Sequence, residues 1–426
     1  MSLASQIAGD RENIIALCQD LVRLNTVNPY SGDAQPGGER VGQEYLQPRL
    51  AALGAQTLLL DCPDDIYQRS GILGPRQRNF SGRPNLIATW DFGGEGPTVV
   101  LNGHMDTVGI DNMPGDPLSA EVREGCIHGR GTSDCKGGLT VGVSAIAALL
   151  ATGRPLQGRL IFQSVVDEEC NGGGAGTLAC LDAGYGGDVA VFLDGNEQHL
   201  TLGCGGCLTA DVGVVGEEGH AAMGTGMSAI EKALVVKGAI DAFKASRESA
   251  RPDCRVNLGI FHAGQHPAVV PGSARLALNI VYAAQEAADA RDAGGQWGGK
   301  PIREEFEALI RAAEYGDEWL AAHPSHLEWV KDLIPYSQDP QDPWVQRFAA
   351  AYERVHGTAP VCDRMVAWSD AAHPQALYHI PTVLFGPGKS GCAHSSHECV
   401  EIEALVNCTQ VVAEFLQATL GQADSR

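Results

Sequence analysis

The chain has 426 residues, 44% of them hydrophobic, with 30 lysines and arginines against 52 aspartates and glutamates, a formal net charge of −22. That length exceeds one small core and predicts two domains, each able to bury a sizeable interior. The acidity excludes a nucleic-acid partner, because phosphate binding needs a basic footprint, and speaks against an anionic membrane surface.

From the N-terminus, Met1 to Arg11 shows no basic segment leading into an apolar one, so no secretory signal is expected. The spacing of Ile14, Ile15, Leu17, Cys18, Leu21 and Val22 predicts a helix over 11–24. Residues 41–53 repeat the pattern and stop at Gly54, a fitting C-terminal cap. Strands follow over 85–90 and 98–102, and the second, almost continuously apolar, reads as a buried central strand. Residues 138–150 are apolar nearly all round, the pattern of a buried helix, and the longest apolar stretch, Leu139 to Ala151, is too short to span a bilayer of ~30 Å. Two further buried strands are expected at 159–166 and 189–193. Alternating helix and strand is the α/β signature.

From about Gly203 the texture changes. A strand over 208–215, a helix over 227–243, strands over 255–262 and 274–282, a helix over 302–315 and a strand over 326–334 give the order βαββαβ of a ferredoxin-like unit. Cys204-Gly205-Gly206-Cys207 has the spacing of a redox motif without thioredoxin-like surroundings, and reads as a glycine-rich hinge. Asp339-Pro340-Gln341-Asp342-Pro343 reads as the return linker, after which a helix over 344–355, a strand over 382–385 and a helix over 402–416 rejoin the first unit. The expected fold class is α/β: residues 1–203 and 337–426 form a discontinuous domain with a central, mostly parallel sheet flanked by helices, and 204–336 form an inserted ferredoxin-like domain. Thirteen scattered cysteines predict free thiols in a reducing compartment, hence a soluble cytoplasmic protein.

The chemistry-bearing residues cluster where the expected strands end, the position at which open α/β sheets place ligands. His104 and Asp106 end one strand, with a spacing that puts both on one face if the strand conformation persists. Imidazole suits zinc, cobalt or manganese, and a carboxylate that fixes its tautomer is a common companion. Asp134 lies in Gly129-Arg130-Gly131-Thr132-Ser133-Asp134-Cys135-Lys136-Gly137-Gly138, at the entrance to the buried helix; alone it reads equally well as a helix cap. Asp167-Glu168-Glu169 follow an apolar strand and repel one another unless a cation intervenes. Asp194 ends the next strand, and His394 follows Phe385-Gly386-Pro387-Gly388. Each segment alone is modest evidence; their joint occurrence at successive strand ends points to a metal centre.

In this order, Gly103-His104-x-Asp106, Gly129-Arg130-Gly131-x-x-Asp134-x-Lys136-Gly137-Gly138, Asp167-Glu168-Glu169 and Gly386-Pro387-Gly388 with Ala393-His394 resemble the co-catalytic zinc family of acetylornithine deacetylase, succinyl-diaminopimelate desuccinylase, aminoacylase and carboxypeptidase G. The resemblance covers essentially the whole chain. It implies that His104 and Asp194 hold one metal, Glu169 and His394 the other, and that Asp134 bridges them. It further implies that Asp106 orients His104 and that Glu168 is the general base. His220 matches the family's lid histidine, which reaches the partner subunit's site and helps stabilise the tetrahedral oxyanion, so a homodimer through the inserted lid is expected. One or two divalent ions are implied, zinc first, with manganese or cobalt as alternatives.

Some positions depart from that pattern. Val108 is followed by Gly109 rather than proline, and Asp194-Gly195-Asn196 stands where the deacetylases show Glu-Pro. Leu278 to Tyr282 lacks the family's substrate-carboxylate arginine, and Arg275 lies earlier on that strand. His397 reads as a surface residue, and Cys135, Cys170 and Cys392, each close to a site residue, read as small buried filler. The leading expectation is a metal-dependent hydrolase that cleaves an amide bond, N-acyl or peptide-like, in a small molecule. The missing arginine keeps open deamination or decarbamoylation of a non-peptide amine, and a non-catalytic binding protein of the same fold is a third reading.

Overall fold

The computed structural model describes residues 2–251, 253–287 and 298–421; Met1 and the last five residues, the ends of the expected outer segments, lie outside the described residues. The larger of two principal sheets runs, in spatial order, through Gln56–Leu60, Asn85–Gly93, Gly158–Val165, Thr98–His104, Val189–Phe192, Thr382–Leu384, Leu200–Cys204 and Tyr336–Ser337, with Cys362–Met365 also paired to Leu200–Cys204. Gly158–Val165, Thr98–His104, Val189–Phe192 and Thr382–Leu384 are mutually parallel and form its centre, and the flanking strands Asn85–Gly93 and Leu200–Cys204 join it antiparallel.

The central strands are apolar on successive residues because both faces are covered. Val99, Leu101, Leu160, Phe162, Val189 and Val191 pack on one side with Leu139, Ile146, Leu405, Val412 and Phe415 of the helices Lys136–Ala151 and Ile402–Leu420. Val100, Ile161, Ala190 and Phe192 face the other side, toward Cys180, Ala372 and Ala376 of Ala175–Asp182 and Ala372–Tyr378. This is the two-residue alternation of a strand sandwiched between helices. The helix Lys136–Ala151 lies close against the sheet: a Cβ on Gly138 would stand 1.8 Å from the Leu193 carbonyl oxygen, and one on Gly142 2.6 Å from Leu193. Those glycines bring the start of this helix, with Asp134 just before it, up to the strand ends.

The second sheet is antiparallel, in the order Arg255–Ala263, Ser273–Tyr282, Gly206–Val215, His326–Leu333. With the helices Ala229–Ala250 and Lys300–Tyr315 it forms the ferredoxin-like lid, and its core includes Phe243 and Phe306 in edge-to-face contact at 5.2 Å. The chain crosses between the sheets at Gly205 and again at Ile334-Pro335. Gln56–Leu60, Leu200–Cys204, Tyr336–Ser337 and Cys362–Met365, absent from the sequence reading, are short strands at or near the sheet margins.

Candidate metal centre

The strand Thr98–His104 delivers His104 into the interior, 1% exposed. Its Nδ1 lies 2.9 Å from the Asp106 main-chain oxygen and 3.6 Å from Asp106 Oδ1. A proton on Nδ1 satisfies that carbonyl and leaves the Nε2 lone pair turned toward Asp134 Oδ1 at 2.8 Å and Asp194 Oδ1 at 3.7 Å. Asp106 is itself buried. Its carboxylate accepts from Asn28 Nδ2 at 2.7 Å and from the main-chain nitrogens of Glu169 at 3.1 Å and Glu168 at 3.4 Å. It therefore joins the His104 strand to the loop after Gly158–Val165.

Asp134 stands between two imidazoles, with Oδ1 on His104 and Oδ2 3.2 Å from His394 Nε2. His394 Nε2 also lies 3.0 Å from Glu169 Oε1, and the His394 side chain is 54% exposed, so this part of the cluster opens outward. Donor atoms of Asp134, Glu169 and His394 converge within 4.8 Å, as do those of His104, Cys135 and Asp194, and each trio could hold a metal ion. The two trios meet at Asp134.

Electrostatics favours a cation here. Burial pushes the carboxyls of Glu169 and Asp194 up to about 7, and the nearby Asp134 charge adds to the effect. Burial raises Glu168 well above the ordinary carboxylate range, and Glu169, Asp370 and Asp194 add repulsion while His104 opposes it. Burial disfavours charge on His104, yet Cys135 and the carboxylates of Asp106, Asp134 and Asp194 hold its pKa well above the usual imidazole value. Bonds to Asp134 and Glu169 raise His394 to about 11. Three carboxyl groups, those of Glu168, Glu169 and Asp194, and two imidazoles are thus pushed toward protonated forms that bound cations would replace, and His and carboxylate donors suit divalent ions. The residues fit the metal centre that the resemblance implies.

Other expectations resolve differently. Asp167 belongs to no metal cluster: it accepts from Tyr67 Oη at 2.9 Å and lies 3.5 and 3.4 Å from the guanidinium groups of Arg78 and Arg83. Arginines, not a metal, neutralise that member of the acidic triplet. His220 sits in a small two-stranded antiparallel ribbon, Gly219–His220 with Val269–Val270, exposed, its Nδ1 accepting from the Ala222 nitrogen at 3.2 Å; the structure does not bring it to the cluster of its own chain. Arg275 is paired with Asp211 at 2.8 Å on the lid, and His397 is exposed.

Sequence reasoning missed Glu398. This buried carboxylate accepts from the main-chain nitrogens of Gly131, Ser133 and Asp134 at 3.1, 3.0 and 3.2 Å, and pairs with Arg130 at 2.5 Å. It also missed Asp370, 2% exposed and bonded by Thr177 Oγ1 at 2.6 Å, and Lys331, a buried lid lysine that donates to Asn171 just past Glu169. A glutamate next to a histidine and a lysine inside an alternating strand carry no local signal; only the tertiary fold makes them neighbours of the site.

Residues 100–418 match the profile of peptidase family M20/M25/M40. Over 97% of its length the chain is 29% identical to N-formyl-4-amino-5-aminomethyl-2-methylpyrimidine deformylase of Halalkalibacterium halodurans, covering 96% of that protein. It is 27% identical to succinyl-diaminopimelate desuccinylase of Gluconacetobacter diazotrophicus, over 96% of this chain and 97% of the relative. An M20-family metallo-carboxypeptidase from Sulfolobus solfataricus superposes with a TM-score of 0.73 at 15% identity, over 95% of this chain and 99% of that one, which shows the shared fold. The chain therefore belongs to peptidase family M20/M25/M40, as an amidohydrolase that acts on a C–N bond.

Proposed function

We propose that the protein removes a small acyl group, such as formyl or succinyl, from the amine nitrogen of a small molecule, using a divalent metal pair held by His104, Asp134, Glu169, Asp194 and His394. The observation that carries this reading is the Asp134 carboxylate, set 2.8 Å from one imidazole nitrogen and 3.2 Å from the other. A deformylase and a desuccinylase, both matched along nearly their full length, support an N-acyl substrate over a deaminated one. The lid strand Ser273–Tyr282 lacks an arginine at its end and Arg275 is engaged by Asp211, which favours an amine product without an α-carboxylate, as in the aminomethylpyrimidine.

When bound, divalent ions supply Lewis-acid polarisation of the scissile carbonyl and make water acidic enough to deprotonate near neutrality. Asp106 fixes the His104 ring. Glu168, held through its main chain by Asp106 and beside Glu169, takes a proton from the attacking water and delivers it to the departing nitrogen. Water is consumed, the C–N bond breaks, and a carboxylic acid and an amine are released. Zinc is the proposed ion, with cobalt and manganese as substitutes.

Residues 204–336 are the proposed lid, and a homodimer through it is the proposed assembly. Its surface exposes Met223, Leu234, Val269 and Phe261, and His220 stands exposed among them in the chain. No helix among the described residues is long and apolar enough to cross a membrane. All thirteen cysteines are unpaired, which supports a reducing, cytoplasmic location.

The test is turnover of a panel of N-formyl, N-acetyl and N-succinyl amines, aminomethylpyrimidines included, by the zinc-, cobalt- and manganese-loaded protein and its Glu168→Gln variant. Release of acid and amine is expected, with a loss of roughly 10²–10⁴-fold in the variant at unchanged metal content. Ammonia release without acyl release would replace this reading, and full activity of the variant would remove Glu168 from its role.

A further inference from the structure

Cys135 is one residue beyond the bridging Asp134 and wholly buried, and the proposed mechanism gives it no part. Its sulfur does not simply fill space. The Sγ atom falls within the same 4.8 Å cluster as a nitrogen of His104 and a carboxylate oxygen of Asp194, one of two such trios among the described residues. It packs against the backbone just before His104: a Cβ built on Gly103 would lie 3.3 Å from it. Sulfur bonds zinc at ~2.3 Å, against ~2.0–2.2 Å for nitrogen and oxygen, and donor atoms within 4.8 Å of one another suit one ion held by such bonds.

The geometry points to Cys135 Sγ as a ligand to the ion on the His104 side of the centre, an inference that rests on the metal reading above. On binding, the sulfur–cation bond forms as the thiol proton leaves to solvent, so one proton is released with no change of oxidation state. His104, Asp194, Cys135 and the bridging Asp134 then make four protein donors, a closed set of the kind that holds structural zinc. The other position has only Asp134, Glu169 and His394, with His394 half-exposed, and keeps room for water and substrate. The two ions thereby differ in kind: a sulfur-bound ion that organises the site and an open one at which hydrolysis takes place. Thiolate ligation also biases the His104 side toward zinc or cobalt over magnesium or manganese.

The experiment is optical titration of the metal-free full-length protein with cobalt(II) alone, for the wild type and for Cys135→Ser and Cys135→Ala. The expected result is a near-ultraviolet sulfur-to-cobalt charge-transfer band in the wild type that both variants lose, while the visible cobalt bands persist in all three. Zinc-edge X-ray absorption of the wild type, which needs no variant, should show one sulfur scatterer at ~2.3 Å. Visible cobalt bands without the charge-transfer band, or a zinc shell of nitrogen and oxygen alone, would overturn the assignment. A charge-transfer band that survives in both variants would overturn it too, by transferring the sulfur to Cys170 or Cys392. No cobalt uptake at all would sink the metal centre itself, an outcome separable from loss of the sulfur band alone.

Discussion

Glu398 supplies no donor to the proposed metal pair, yet it holds the residue that joins the two halves. Three consecutive-region main-chain nitrogens, those of Gly131, Ser133 and Asp134, converge on one of its oxygens while Arg130 takes the other. A buried carboxylate is stable there only because each lone pair finds a donor, and its charge is balanced by Arg130. Glu398→Gln keeps the shape but removes the charge, which leaves the Arg130 guanidinium without a counter-ion and loosens the Asp134 loop. The expected outcome is metal affinity weaker by roughly 10–100-fold with unchanged circular dichroism, measured by competition with a chromophoric chelator. Equal affinity in the two proteins would show that the Asp134 loop holds its place without that charge. At this scale the sequence was informative where chemistry is local. His104, Asp134, Glu169, Asp194 and His394 lie beside glycines or at strand ends, and the structure gathers their side chains into one cluster. Glu398, Asp370 and Lys331 were illegible because nothing in their neighbours along the chain distinguishes them from surface charges.

Between elements, the contacts that matter are polar and buried. The short helix Ala372–Tyr378 is tied to the loop after Glu169 by His373, whose Nε2 lies 2.8 Å from the Gly173 carbonyl oxygen. Its Nδ1 is buried with no partner among the described residues, so a second proton would have no acceptor, and burial holds the pKa down to about 4. An imidazole in the unfolded chain titrates near 6.5. Between the two values the unfolded chain binds more protons, so this contribution to stability is present above about pH 6.5 and lost as pH falls toward about 4. His373→Gln should flatten the acid limb of the melting-temperature profile, read by differential scanning calorimetry from pH 4 to 7. Parallel acid limbs in the two proteins would remove His373 from this account. The long central strands of the larger sheet were legible because burial on two faces writes itself as unbroken apolar runs, as in Val99-Val100-Leu101 and Leu160-Ile161-Phe162, and those of the lid because one covered face writes itself as alternation. Cys362–Met365 and Tyr336–Ser337 were not, since strands of four and two residues are stabilised by the neighbour they pair with rather than by a pattern of their own.

For the whole molecule, the open question of function is whether one chain contains a complete site. His220 is exposed and remote in contact from the cluster of its own chain, so the proposed dimer has it serve the partner's centre. That arrangement predicts complementation. Glu168→Gln and His220→Ala proteins should each be nearly inactive, and unfolding and refolding them together should restore about a quarter of wild-type activity, since half of a statistical mixture is heterodimer with one intact site. Mixtures as inactive as their components would place His220 outside the reaction or within its own subunit. The lid already touches the larger domain through Lys331 and Asn171, Arg76 and Glu328, and the Asp332 nitrogen that donates to the Leu73 carbonyl at 2.8 Å.

The two crossings between the sheets are not independent of one another. Cys204, the last residue before the outward passage at Gly205, is paired across the large sheet with Tyr336, the first strand residue after the return at Ile334-Pro335. A body fastened at two adjacent points resists twisting and translation but turns easily about the line that joins them, like a door on its pin. Lid motion in this protein is therefore expected about that one line, and a swing about it would carry Lys331 toward or away from the Glu169 loop.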